Sequence, residues 1–372
     1  MKYFLFIFIA LVVMCSEAVA ASPKVLFDIA ERRKELADPK RYKAKASCLA
    51  IDMDRLGELP KPIARLATTE GYGSDNSAEP FSWYVMVTGG RALAGDKAAA
   101  EALKNALLTW AKANAFSESD HEHDTYYALK RVMLPVTVNY AIIYDSLSED
   151  ERETINGWAD PIIRKLDKTF NGDVDRNNHR YLADSVLMAW GALIGDGDLY
   201  RKGIERYRIA LGQADDQGGL ALETRRGARA QWYMRQSLAD LTVMAEIARQ
   251  NGDDLYHTDV GKKNFDLLLT HFLNMVRNPL IGLSQSAQNY KPGPGNDYFS
   301  PDMGMLERRP QNRHYMAFTE AYLRHNALGF PAMRLKQLMR ETGFNERPLT
   351  DDFLGGNATC FFWDPRLEEV GQ

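Results

Sequence analysis

Cysteine is almost missing from this chain: there are three in 372 residues, with no CxxC pair and no zinc-ligand spacing. A metal-stapled or disulfide-dense scaffold is therefore not what holds it together. Charge of one sign is lacking as well, since 46 basic residues face 50 acidic ones for a net charge of −4. No global positive field draws in DNA or an anionic membrane, and a polyanionic partner needs a local positive site. Alternating strand patterns are scarce, so a sheet-based fold is not indicated. Long apolar runs are confined to the first residues. There, "MKYFLFIFIALVVMCSEAVAAS" combines Lys2, an apolar run from about Tyr3 to Met14 and the small-x-small site Ala18-Val19-Ala20. The run is too short for a permanent membrane anchor. It predicts a secretory signal over residues 1–20, cleaved after Ala20, and a periplasmic or secreted protein with no membrane attachment afterwards. Acylation at Cys15 is the lesser alternative, because Met14 stands where a small residue is wanted.

What is present is helix. In "KAAAEALKNALLTWAKANA", Ala99, Leu103, Leu107 and Trp110 keep the rhythm of one buried stripe. "RYLADSVLMAWGALIG" repeats it with Leu182, Val186, Ala189 and Leu193, before the break at Gly195–Asp198. A long amphipathic helix follows over "RAQWYMRQSLADLTVMAEIARQNG", with Gly252 as its C-cap. Helix, short Gly/Asp turn, helix units describe antiparallel helix hairpins, and a succession of them gives a solenoid or a closed helical toroid. Residues 21–372 are expected to form one such domain, acting as a monomer. Signal removal leaves Cys48 and Cys360, either a bridge between the chain's two ends or two separate buried thiols. Two loops interrupt the rhythm, Ala67–Pro80 around Tyr72 and Ser284–Gly304, and both could border a cleft.

Two clusters carry chemistry. In "DRNNHRYLAD" (Asp175–Asp184), Asn177, Asn178, His179 and Arg180 stand where a helix begins. Capping by Asn177 or Asn178 accounts for one amide but not for the other, nor for the histidine. A helix N-terminus attracts carboxylates and disfavours protonated histidine, leaving an imidazole that can accept a proton. In "GGLALETRRGARAQWYMRQ", Arg225, Arg226, Arg229 and Arg235 concentrate positive charge. Arg226 and Tyr233 share a face if the helix is continuous through Gly227. A cation beside a phenol favours the phenolate.

Asparagine, histidine, arginine and tyrosine are the set that β-elimination on a uronic acid needs. Loss of the C5 proton puts more negative charge beside a carboxylate, so amide and cationic donors must neutralise that carboxylate. A base takes the proton and an acid protonates the departing glycosidic oxygen. On a mannuronate-type sugar both groups lie on one face, and one tyrosine can serve both. No metal or other cofactor is required.

"NNHRY", followed further on by Arg226, Gly227, Arg229, Ala230 and Tyr233 in "RGxRAxxY", resembles the alginate lyases of polysaccharide lyase family 5. The resemblance runs through most of the chain, thinning before about Gly90 and after about Asn278. It implies an all-α fold, an incomplete (α/α) toroid with a tunnel-like cleft and a lid loop. It also implies an anionic polysaccharide substrate rather than nucleic acid. Carried over, Asn178 and Arg226 neutralise the carboxylate, His179 is base or neutraliser, and Tyr233 is acid or both acid and base. The loop with Tyr72 takes the lid's place. The sequence departs from the family motif at Leu182, where tryptophan is usual, and at Met234, often histidine or glutamine. Both are expected near the cleft, which leaves the exact polyuronate open.

Lys130, Arg131, Arg308 and Arg309 are further candidates for neighbouring carboxylates. The competing readings are a glycoside hydrolase using Asp184 and Glu223 as its carboxylate pair, or a binding protein without turnover. "DHEHD" (Asp120–Asp124) could offer His121 and His123 to a metal, but is expected to be an acidic helix entry. Asn357 opens a glycosylation sequon.

Overall fold

The computed structural model describes residues 23–68, 74–168, 176–286 and 301–365. The leader with Cys15, the loop residue Tyr72, Asp175 and most of the Ser284–Gly304 stretch lie outside them.

Helices dominate. α1 (Ile29–Ala37), α2 (Tyr42–Cys48), α3 (Glu79–Leu93), α4 (Lys97–Lys112) and α5 (His123–Ile143) lead to α6 (Glu149–Leu166), α7 (Asn178–Ile194) and α8 (Gly197–Gly212). The short α9 (Ala221–Thr224), the long α10 (Ala230–Gln250), α11 (Phe265–Arg277) and α12 (Pro279–Ser286) follow. α13 (Phe318–His325), α14 (Phe330–Thr342) and α15 (Ala358–Phe362) complete the set. A two-residue antiparallel hairpin, β1 (Thr350–Asp351) with β2 (Gly356–Asn357), is the sole sheet among the described residues.

Short turns force successive helices back on each other, α3 on α4 and α7 on α8, and the hairpins assemble into an (α/α) toroid. Asp96 and Ser148 show why the helices start where they do: each side chain accepts a backbone N–H of the first turn. The expected stripe of α4 is fully buried at Ala99, Leu103, Leu107 and Trp110, and Trp110 stacks on Phe81 of α3 with ring centroids 3.7 Å apart. α7 exceeds its expectation. Nearly every residue from Asn178 to Leu193 is buried, because α5, α6, α8 and α10 surround it. Gly203 permits the α8 contact, since a Cβ there would come within 2.6 Å of Met188. The chain turns left-handed at Gly195, φ 76°, as the break in the pattern indicated.

The ends of the chain are joined. Cys48 of α2 and Cys360 of α15 form a disulfide across 312 residues. Arg32 of α1 reinforces it, donating from Nε to the Cys360 carbonyl at 2.8 Å. Asn357 is buried, donates to the Ser47 carbonyl at 3.0 Å and caps α15 through Cys360 N–H, so the folded chain offers no sequon there. Closing so long a loop restricts the unfolded chain by about 5 kcal/mol in the chain-entropy limit. Cys48→Ser is expected to lower the melting temperature by about 5 °C or more. Thermal unfolding with and without reductant checks this, and reductant should affect only the parent protein.

Candidate active site

The first turn of α7 is held from outside the helix. Asn177 is the cap, its side chain accepting the His179 N–H at 3.0 Å, so Asn178 is the first helical residue. A first-turn N–H has no partner within its own helix. For Asn178 the partner is Glu223 of α9, whose Oε1 accepts at 2.7 Å. The Asn178 side chain is fully buried, and its amide oxygen and nitrogen have no hydrogen-bond partner among the described residues. Leaving such groups unsatisfied costs about 1–3 kcal/mol each, which a ligand would offset. The His179 ring packs on Tyr127 of α5, centroids 4.7 Å apart, and its carbonyl accepts from Lys130 Nζ at 2.8 Å. Arg180 turns away, into ion pairs with Asp167 and Asp184.

The arginine-tyrosine pair forms, but not on a continuous helix. α9 ends at Thr224, a 3-10 turn spans Gly227–Arg229, and α10 starts only at Ala230. Gly227 takes φ 61°, a conformation that other residues resist. The bend lays the Arg226 guanidinium over the Tyr233 ring, 4.2 Å from its centroid. Such stacking is favourable by roughly 0.5–2 kcal/mol.

Glu223 sits between the two motifs. It is fully buried, and burial pushes its carboxyl up to about 7 against the opposing pull of Arg226, the Asn178 N–H and Ser237. From the far side, Tyr127 reaches α10 through a long 3.5 Å bond from its hydroxyl to Gln236 Oε1. α5, α7, α9 and α10 thus meet around Asn178, His179, Arg226 and Tyr233.

The other expected cations behave differently. Lys130 is buried beneath the first turn of α7, where its ammonium is committed to the His179 carbonyl. Arg131 is bound to Asp352 at 2.6 Å and lies over the rings of Tyr127 and Phe353. Arg308 turns back to the chain, donating to the Glu346 carbonyl and to Asn312 Oδ1 at 3.3 Å. Arg309 stays with the aromatic groups, 4.2 Å over Tyr315, which meets Trp232 edge-on. The departures at Leu182 and Met234 are both fully buried in the core, so neither lines a cleft.

Two carboxylates expected of a hydrolase are likewise committed. Asp184 is buried against Arg180, and Glu223 holds the Asn178 N–H. Neither is an exposed member of a catalytic pair. His121 shares a 3.0 Å hydrogen bond with the Tyr126 hydroxyl, and α5 begins at His123.

Sequence reasoning missed the floor of the site. Asp351 and Asp352, brought in by the hairpin, meet Arg235, Arg131 and Arg313. Burial and the neighbouring Asp352 push Asp351 up to about 8. Burial would raise Asp352 too, but Arg131 and Arg313 hold it below the usual carboxylate range. Only the run of adjacent acids in "TDDF" hinted at them.

The helical toroid thus carries an amide and an imidazole at the start of α7, and a guanidinium stacked on a phenol at the bend before α10. The chain belongs to the alginate lyase family, whose sequence model matches residues 76–281, more than half of it. It is 30% identical to a polysaccharide lyase of Stenotrophomonas maltophilia over 166 residues, 44% of this chain and 50% of that protein. An alginate lyase of Pseudomonas fluorescens is 30% identical over 166 residues, 42% and 44% of the respective chains. The chain therefore spans about half the length of the curated relatives it matches. Alginate lyase A1-III, solved as a variant with a tetrasaccharide, shares the fold with a TM-score of 0.74 at 21% identity, covering 92% of this chain and 96% of that one.

Arg131 separates structure from substrate binding. Arg131→Met leaves Asp352 buried beside one fewer cation and is expected to cost about 3–5 kcal/mol in a denaturant titration. A surface substrate contact would leave stability within about 0.5 kcal/mol of the parent.

Proposed function

We propose that the protein is a secreted lyase that cleaves mannuronate-rich alginate by β-elimination. The observation that carries this reading is the placement of Asn178, with its buried amide unpartnered, across Glu223 from the stacked Arg226–Tyr233 pair. Amide and guanidinium are the donors that would neutralise a uronate carboxylate and stabilise charge spreading from C5.

The remaining chemistry is proton transfer. His179 or Tyr233 takes the C5 proton, the C4–O bond breaks, and the electron pair becomes the C4–C5 double bond. The departing glycosidic oxygen leaves protonated, with Tyr233 as donor, and no water is consumed. On mannuronate the proton and the leaving oxygen share one face of the ring, which suits a single phenol. Arg309 and Tyr72 are the candidates for holding neighbouring sugars in an endo mode. Export is supported by the leader pattern and by the Cys48–Cys360 bridge, which belongs in an oxidising compartment.

His179→Ala and Tyr233→Phe should each reduce turnover of polymannuronate by about 10² or more while the fold is kept. The assay is the ultraviolet absorbance of the unsaturated uronate, with circular dichroism as the fold control. Near-parental turnover in either variant removes that residue from the mechanism.

A further inference from the structure

The proposed chemistry leaves one buried group of the site unused. Glu223 is an acid with no exposed surface in a place meant for an anionic sugar, where its charge opposes the substrate's. One oxygen accepts the Asn178 N–H at 2.7 Å, and Ser237 of α10 stands beside the carboxyl. We propose that Glu223 is a positioning residue that fixes the Asn178 turn of α7 against the Arg226 bend, so that amide and guanidinium converge on one uronate carboxylate. This rests on the lyase reading above.

The geometry accounts for the assignment. The Asn178 N–H is a first-turn donor with no partner in its own helix, and the Glu223 Oε1 accepts it whether or not the carboxyl is charged. Arg226 precedes a bend at Gly227 with no regular helix to hold its direction, and it follows Glu223 within the same short segment, where its charge draws the carboxyl toward ionisation. Glu223 thereby ties the segment between α8 and α10, which carries Arg226, to the start of α7.

A consequence for binding follows. A uronate carboxylate seated at Asn178 and Arg226 lies close to Glu223, and two like charges in a buried site disfavour each other. Substrate and the Glu223 proton therefore assist each other's binding, and the linkage is reciprocal. The groups facing Glu223 are Arg226 on its own segment, the Asn178 N–H and Tyr181 phenol of α7, and Ser237 and Asp240 of α10. Asp240 is held protonated-leaning by its own burial, despite Arg235 and Lys130. With the free carboxyl raised to about 7, the proton is lost across the neutral range and KM rises with it. The stability sign agrees. A carboxyl raised on folding favours the native state below its unfolded value, and that advantage is lost as pH rises through about 7.

The test compares Glu223→Gln with Glu223→Ala in the full chain. Glutamine keeps an acceptor for Asn178 but carries no charge, whereas alanine keeps neither. The expected parental behaviour is a KM for polymannuronate that rises roughly tenfold between pH 6 and 8. In Glu223→Gln that rise is expected to be absent, with kcat well above that of Glu223→Ala, which falls about tenfold or more. A KM rise in Glu223→Gln equal to the parental one, or an alanine variant with parental kcat, overturns the proposal. Melting temperature against pH needs no substrate and covers the case where alanine fails to fold: the parent should lose stability from pH 5.5 to 8 more than Glu223→Gln does. Equal slopes overturn the proposal even if the parent cleaves. A parent that cleaves no polyuronate, with unequal slopes, defeats the lyase reading and leaves the Glu223 clamp standing as a structural feature.

Discussion

The hydrogen bond from the Asn178 backbone to buried Glu223 is the joint on which the site depends. It spans the gap between the start of α7 and the bend before α10, regions that share no helix and no sheet. A helix N-terminus needs outside acceptors, and here the acceptor belongs to the segment that delivers Arg226 and Tyr233. The same contact thus completes the helix and sets the two halves of the site in register. Without it, Asn178 and His179 would sit on a well-packed helix while Arg226 followed a mobile-prone turn.

Beneath that joint lies a floor of buried charge. Lys130, Arg235 and Arg313 are buried among Asp240, Asp351 and Asp352, with Arg131 half-buried beside Asp352, in an interior where an unpaired charge is costly. The acids at 351 and 352 arrive on a hairpin whose next turn is α15, and α15 is bolted to α2 by the Cys48–Cys360 bridge. Covalent closure at the chain's ends therefore positions the carboxylates that hold Arg131 and Arg235. Those arginines in turn flank the rings of Tyr127, Phe353 and Tyr315. A site that must place donors within a fraction of an ångström gains from such a rigid base.

Helical architecture was legible in the sequence because periodic burial is a local property. The stripe of α4 and the turn at Gly195 are where the pattern places them. The contact between Arg226 and Tyr233 was legible in their spacing, although the chain makes it by another route. Arg226 reaches Tyr233 around a bend at Gly227, not along two turns of one helix. Lys130 and Arg131 read as surface cations because sequence shows charge and not burial; their carbonyl and carboxylate partners come from distant segments. Leu182 and Met234 misled in the opposite sense. Their place beside motif residues suggested a cleft wall, but sequence proximity does not tell which part of a helix is buried, and both lie in the core. Asp351 and Asp352 were illegible as ion-pair partners, since Arg131, Arg235 and Arg313 come to them from separate segments of the chain.

Elimination, as opposed to hydrolysis, is the central claim, and the fate of water tests it most directly. Polymannuronate, polyguluronate and a glucuronan would each be digested and the fragments weighed by mass spectrometry. The account predicts that polymannuronate is cut into fragments lighter by one water than hydrolysis products, each with a C4–C5 double bond at its new non-reducing end. Fragments at the full hydrolysis mass would contradict it, because water would then have opened the C1–O bond and no double bond would have formed.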